Sequence, residues 1–149
     1  MRTTVLLMSL APLVASCGGS SGPPQSLPQV SIAENVYAYT QSSAGPASAG
    51  MATIGIALYV TNPSTLAHPL NPKVIAQPGS AGYANASVIL DGSNGLPTYA
   101  TVTLRSAASL GPGVYTSSFS IELCIDPTCT AKLATTPDPL ILTIQYTVT

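Results

Sequence analysis

Apolar and polar residues alternate through most of the chain after residue 30, and this alternation predicts β-strands. Four runs show it most clearly: 51–62, 98–105, 113–124 and 140–149. One parity of each run is apolar and is expected to face inward: Ile54, Ile56, Leu58, Val60, Ala100, Val102, Leu104, Tyr115, Phe119, Ile121, Leu123, Leu140, Leu142, Ile144, Tyr146 and Val148. The other parity is filled mainly by Thr and Ser and is expected to face solvent.

Weaker strands are predicted at 30–39, 73–77 and 84–90, and segments rich in Pro and Gly separate the runs. No stretch combines helical periodicity with helix caps. About seven short strands without helices are typical of a β-sandwich. The predicted fold class is therefore all-β, an antiparallel β-sandwich of about seven strands formed by residues 29–149.

The first sixteen residues have the pattern of a secretory signal. Arg2 precedes an apolar run from 5 to 15, which is shorter than the roughly 20 residues that a membrane-spanning helix needs. The four residues from Val14 to Cys17 resemble the lipobox of bacterial lipoproteins. That resemblance implies cleavage before Cys17 and acylation of Cys17, and several acyl chains would make a stable membrane anchor. The alternatives are an ordinary cleaved signal and a plain exported chain with a chance cysteine.

The segment 17–28 is predicted to be the lipidated cysteine followed by a flexible tether, because it is rich in Gly, Ser and Pro. Gly18 follows the cysteine, whereas an Asp at that place favours retention at the inner membrane in Gram-negative lipoproteins. The resemblance therefore implies a bacterial cell-envelope protein, held by lipid and directed to the outer membrane.

Charged residues are scarce, with four basic and five acidic side chains in 149 residues. The absence of a basic patch argues against nucleic acid as a partner. The high hydrophobic content argues against disorder, which usually combines low hydrophobicity with high charge.

Cys124 and Cys129 raise three alternatives: a metal clip, a redox pair and a structural disulfide. A zinc site needs four ligands, and the only further candidates are one histidine and scattered acids. A redox pair favours Cys-x-x-Cys at the start of a helix, and neither feature is present. Export to an oxidising compartment favours a disulfide, and Asp126-Pro127 is suited to a turn between the two cysteines. We therefore predict a Cys124–Cys129 disulfide and no metal or other cofactor.

The last 40 residues resemble an immunoglobulin-like domain of bacterial exported proteins. These domains have Leu-x-x-Gly-x-Tyr, an alternating strand, Cys-x4-Cys with Asp in the turn, a Pro-containing loop and a final strand ending in Tyr-Thr-Val. The matching residues are Leu110, Gly113, Tyr115, Cys124, Asp126, Cys129, Pro137, Tyr146, Thr147 and Val148. The resemblance implies an immunoglobulin-like sandwich used for spacing and binding. Tyr115 is predicted to act as a tyrosine corner, in which the hydroxyl ties a turn to its strand.

Three other candidate sites have structural interpretations that we favour. The stretch 91–95 has some oxygen donors of a calcium loop but too few carboxylates, so we interpret it as a turn. His68 has no acid near it in sequence and is interpreted as an exposed loop residue. Glu122 and Asp126 are the nearest acid pair, and we expect both to be solvated.

The predicted function is a lipid-anchored, non-enzymatic module that binds or scaffolds components of the bacterial envelope. The expected partners are the membrane, through the anchor, and an envelope or surface protein or glycan. The binding face is expected to be polar, uncharged and tyrosine-bearing, with Tyr37, Tyr39, Tyr59 and Tyr99. The alternative is a carbohydrate-recognition or accessory domain acting on surface polysaccharide, which a row of tyrosines on one sheet face would favour.

Overall fold

The computed structural model describes residues 28–62, 69–93 and 95–149. The predicted signal at 1–16, Cys17 and all of the tether except Pro28 lie outside the described residues. The described chain forms these strands in order: β1 (Gln29–Ile32), β2 (Val36–Gln41), β3 (Thr53–Thr61), β4 (Asn71–Ala76), β5 (Tyr83–Leu90), β6 (Pro97–Leu104), β7 (Gly113–Cys124), β8 (Ala134–Thr136) and β9 (Leu140–Val148). Two short helical turns occur, a 3-10 turn at Pro46–Ala49 and an α-helical turn, α1, at Ala107–Leu110.

The strands form two sheets that pack face to face. The five-stranded sheet has the order β5-β6-β3-β1-β8, and the four-stranded sheet has the order β2-β9-β7-β4. The fold is an all-β sandwich, as the alternating pattern predicted. Neighbouring strands are antiparallel except for β1 with β8 and β2 with β9, which are parallel.

The core lies between the sheets and contains the apolar parity of the four strong runs. Ile56, Val102 and Phe119 are each 1% exposed, and the inward residues of β9 from Leu140 to Val148 are all buried. The alternation therefore placed the inward side of β3, β6, β7 and β9 correctly. Burying these side chains supplies the main favourable free energy of folding, at about 25 cal/mol per Å² of apolar surface.

The segment 30–39 forms two strands where the pattern predicted one. β1 lies in the five-stranded sheet and β2 in the four-stranded sheet, so the chain crosses the sandwich near Glu34. In β1 the even-numbered Val30 faces the core, whereas in β2 the odd-numbered Tyr37 and Tyr39 are half-buried against it. The inward-facing positions therefore change from even to odd where the chain passes from one sheet to the other. The split, together with the three-residue β8, accounts for nine described strands rather than about seven.

The C-terminal strand β9 is paired on both sides, with β2 and with β7. An uncharged strand of high β-propensity such as this one is expected to have two neighbours, because an open edge would be a template for another chain. The edge strands of the two sheets are instead β2, β4, β5 and β8. No helix in the described ranges is long and apolar enough to cross a membrane.

Candidate functional site: an uncharged sheet face and the cysteine loop

The outward face of the five-stranded sheet is a candidate binding surface. Alternation and register bring these side chains to it: Gln29, Ser31, Thr53, Gly55, Ala57, Tyr59, Thr61, Asn85, Ser87, Ile89, Tyr99, Thr101, Thr103, Ala134 and Thr136. None of them is charged. We call this set the five-stranded face.

Three large side chains form the apolar part of the five-stranded face. Tyr59, Tyr99 and Ile89 are 54%, 49% and 48% exposed. Ile89 is directly opposite Tyr99 across β5 and β6, and Tyr99 is opposite Ala57 across β6 and β3. Tyr59 lies two residues along β3 from Ala57, so the two tyrosines are diagonal neighbours. Ala57 is the small residue between the two tyrosines, and Gly55 is the small residue on the other side of Tyr99.

Hydroxyl pairs flank these large side chains. The Thr53 and Thr103 hydroxyl oxygens are 3.2 Å apart, and those of Ser87 and Thr101 are 2.8 Å apart. Each pair joins residues that are directly opposite in the register. The face therefore presents an aromatic and aliphatic centre beside neutral groups that donate and accept hydrogen bonds.

The expectation that Tyr37 and Tyr39 share this face is wrong. Both project inward from β2 and pack against the core. Tyr39 lies 5.7 Å from Tyr146 between ring centroids. Burial raises the pKa of the Tyr37 hydroxyl, and the negative charge of Glu34 and the neighbouring Tyr59 raise it further. The parity reversal between β1 and β2 is the sequence signal that would have placed these two rings.

The segment from Cys124 to Lys132, here called the cysteine loop, closes the end of β7. Cys124 and Cys129 are joined by a disulfide with their Cα atoms 4.8 Å apart, as the sequence predicted. A carboxylate oxygen of Glu122 lies 3.7 Å from the Cys129 sulfur. Because both sulfurs are bonded to each other, neither is the thiolate that metal binding would need.

Asp126 organises the cysteine loop. Its carboxylate accepts hydrogen bonds from the backbone amides of Thr128, Thr130 and Ala131 and from the hydroxyls of Thr128 and Thr130. The Thr128 hydroxyl and the Ala131 amide contribute most to holding the pKa of Asp126 far below its usual value. The Asp126 carboxylate is open to solvent and also folds the loop, a role that the spacing of the sequence did not indicate.

Glu122 is also engaged rather than free. Its Oε1 lies 2.6 Å from Lys132 Nζ, and Lys73 on β4 is its cross-strand neighbour. Beside this pair a cleft of about 240 Å³ opens between β7 and the chain that leads to β9. Buried Ile121, Leu123 and Leu133 form its floor, and Asp138 lies at its rim. Such a cleft could accept one side chain, but its charges are few and partly paired.

The remaining candidate residues have structural roles or lie outside the described residues. The Tyr115 hydroxyl lies 2.6 Å from the Leu110 carbonyl oxygen and 3.0 Å from that of Gly111, so it ties the turn after α1 to β7. Asp91 accepts hydrogen bonds from the amide and hydroxyl of Ser93, an arrangement typical of a turn. These hydrogen bonds lower the pKa of Asp91. His68 and Asn94 lie outside the described residues.

Comparisons with known proteins give the chain no family. No family model and no curated protein matches it. Among solved structures it is similar to the cysteine protease inhibitor EhICP2 from Entamoeba histolytica, at 11% identity and a TM-score of 0.39, over 81% of this chain and 93% of that one. It is also similar to the ZirS C-terminal domain, at 13% identity and a TM-score of 0.34, over 100% of this chain and 84% of that one. Likenesses this distant carry no argument about function.

Proposed function

We propose that the protein is a lipid-anchored, non-enzymatic binding module of the bacterial envelope that contacts its partner through the five-stranded face. The observation that carries this proposal is the absence of charge from the outward positions within the strands of the five-stranded sheet, combined with half-exposed Tyr59, Tyr99 and Ile89. Exposed Arg105 follows β6 at the border of this face. The lipobox resemblance around Cys17 supports the anchor and the location.

An uncharged face suits binding because contact removes no ionised group from water. Burying an unpaired charge is costly, whereas burying apolar and aromatic surface is favourable. Tyrosine contributes a large ring and a hydroxyl that can find a partner, and it is enriched at interfaces for that reason. Tyr59 and Tyr99 are therefore the anchors of the proposed contact, and the hydroxyl pairs beside them supply orientation.

A glycan is the second candidate partner. Tyrosine rings can pack on sugar rings, and the neutral hydroxyls of Ser87 and Thr101 suit an uncharged polysaccharide. The placement of both exposed tyrosines on one face favours this candidate, whereas the inward position of Tyr37 and Tyr39 removes half of the expected aromatic row.

The test is capture of partners by chemical cross-linking in intact envelopes. The variant carries Tyr59→Ser and Tyr99→Ser. A matched control removes two exposed apolar side chains of the other sheet, by Val114→Ser and Ile75→Ser, which are 70% and 47% exposed in the parent. Two lost anchors of about 1.4 kcal/mol each should weaken the affinity for the partner about a hundredfold, and capture should fall accordingly.

The control variant should capture the partner as the parent does. Equal capture by all three proteins, or equal loss in both variants, would show that the five-stranded face is not the contact. Treating envelopes with glycosidase or with protease before cross-linking distinguishes a glycan partner from a protein partner.

A further inference from the structure

β2 differs from the other edge strands because it lacks features that block the addition of another strand. β4 contains Pro72 and Lys73, and β5 has register shifts near both ends. β8 is three residues long and is followed by prolines. These are the usual protections of sheet edges. β2, with the sequence VYAYTQ, contains no proline and no charge, and its pairing with β9 is regular.

The hydrogen bonds to β9 show which backbone groups of β2 face its outer edge. The amide of Thr143 donates to the carbonyl of Asn35 at 2.7 Å, and the amide of Thr149 donates to the carbonyl of Gln41 at 3.0 Å. Odd-numbered residues therefore direct their backbone groups toward β9. Because these directions alternate along a strand, Val36, Ala38 and Thr40 direct theirs to the outer edge.

We infer that β2 pairs antiparallel with β2 of a second copy of this chain, with Ala38 on the two-fold axis. In an antiparallel ladder, residues whose backbone groups face each other exchange two hydrogen bonds per pair. Ala38 then pairs with itself, and Val36 pairs with Thr40 of the second copy. A register shifted by two residues would leave Val36 or Thr40 of each copy without a partner within the strand.

The side chains fit this register. The methyl groups of Ala38 meet at the axis without crowding, and Val36, which is 47% exposed, packs against the Thr40 side chain of the second copy. Glu34, the charged residue nearest to β2 in sequence, lies opposite Ser42 rather than opposite another Glu34. The outward positions of β9 are uncharged as well, so the two copies bring no like charges together.

A second copy is the occupant that this argument specifies, because the pairing is self-complementary at every position of β2 that faces the edge. The inference does not depend on the partner contact proposed for the five-stranded face, since β2 belongs to the four-stranded sheet. It adds a two-fold assembly in which each copy keeps its own five-stranded face.

The test is disulfide cross-linking, in the envelope, of full-length variants that each carry one added cysteine. At the axis the Cα atoms of a hydrogen-bonded pair lie about 5.5 Å apart, which a disulfide can span. Ala38→Cys should therefore give a covalent homodimer, and mass mapping should find the peptide that carries the substitution linked to its own copy. Thr40→Cys is the register control, because the two copies of that residue lie about 13 Å apart along the strands and should not cross-link. Ile75→Cys on β4, the opposite edge of the same sheet, is the surface control.

A second variant tests association without new cysteines. Ala38→Lys places two ammonium groups at the axis, and Ile75→Lys adds the same charge on β4, at the opposite edge of the sheet. In protein extracted in mild detergent, Ala38→Lys should raise the midpoint concentration of dimer dissociation by at least tenfold, while Ile75→Lys should leave it within twofold of the parent. Three results would overturn the inference: a monomeric parent, equal cross-linking of all three cysteine variants, or an Ala38→Cys variant that links to a different protein or to the chain's own N-terminal segment.

Discussion

Asp126 has a structural role that depends on its ionised form. Its carboxylate accepts hydrogen bonds from Thr128, Thr130 and Ala131, and these bonds hold its pKa far below the usual value. A depressed folded-state pKa contributes stability above the unfolded-state pKa of about 3.9, and that contribution is lost as the pH falls toward the folded value. Acid should therefore loosen the cysteine loop before it affects the apolar core.

We expect Asp126→Asn to lower the free energy of unfolding at pH 7 and to flatten its decline below about pH 4. Urea unfolding at pH 7, 4, 3 and 2, with the disulfide intact, measures both effects. Asp138→Asn removes the same charge from an exposed position in the next loop and serves as the control. An acid-dependent decline as steep in Asp126→Asn as in the parent would contradict this role.

Gly82 is needed both for its backbone conformation and for space. It has φ +87°, and a Cβ atom there would lie 2.7 Å from the Tyr115 Cβ. Gly79 has nearly the same conformation, φ +85°, with nothing within 4 Å of the equivalent position. Gly79→Ala should therefore cost about 1 kcal/mol from conformation alone, and Gly82→Ala roughly 3 kcal/mol. Equal melting temperatures for the two variants would show that contact with Tyr115 is unimportant.

At the scale of single strands, the sequence predicted the inward-facing residues wherever the alternation within that strand is sufficient to identify them. Ile56, Val102 and Leu142 were placed correctly because alternation needs no knowledge of the neighbouring strands. The crossing between β1 and β2 was missed because it appears only as a change of parity across Glu34. The parallel partners of these two strands depend on contacts distant in sequence, which local alternation does not encode.

The cysteine loop could also be predicted only in part, because only some of its features are encoded in the local sequence. Two cysteines around Asp-Pro, together with a predicted export signal, favour a disulfide, and the structure contains it. The number of amides and hydroxyls that converge on Asp126, and the pairing of Glu122 with Lys132, depend on loop geometry that spacing alone does not specify.

Replacing both Cys124 and Cys129 by Ser should destabilise the fold by about 2 kcal/mol, since the bond closes a short loop. Thermal unfolding of the double variant, compared with the parent under oxidising and reducing conditions, measures this cost. The double variant should match the reduced parent in stability. A double variant as stable as the oxidised parent would mean that the loop is held by Asp126 and its neighbours alone.

At the scale of the whole molecule, the scarcity of charged residues shows in their placement as well as in their number. Register collects the Thr, Ser and Tyr side chains of five strands on one neutral surface. The polar parity of each strand was visible in the sequence, but the continuity of the five-stranded face required the strand order. The proposed anchor would hold this surface near its partners in the envelope.

Cys17→Ala should prevent lipid attachment, because the alanine has no thiol to acylate. The variant is expected to accumulate as an unprocessed or soluble precursor, while the parent partitions into the detergent phase. Cys124→Ser is the control, since it removes a cysteine without touching the lipobox. Partition of Cys17→Ala into detergent after signal removal would contradict lipid anchoring.

The central claim, that the five-stranded face contacts the partner, is tested most directly by site-specific photo-cross-linking in living cells. A photoreactive residue is placed at Thr101, on the five-stranded face, and in a second strain at Thr147, on the outward side of β9. The account predicts that the Thr101 position gives a discrete adduct with an envelope component and that the Thr147 position does not give that adduct. The same adduct from Thr147 alone, or equal yields from both positions, would contradict it.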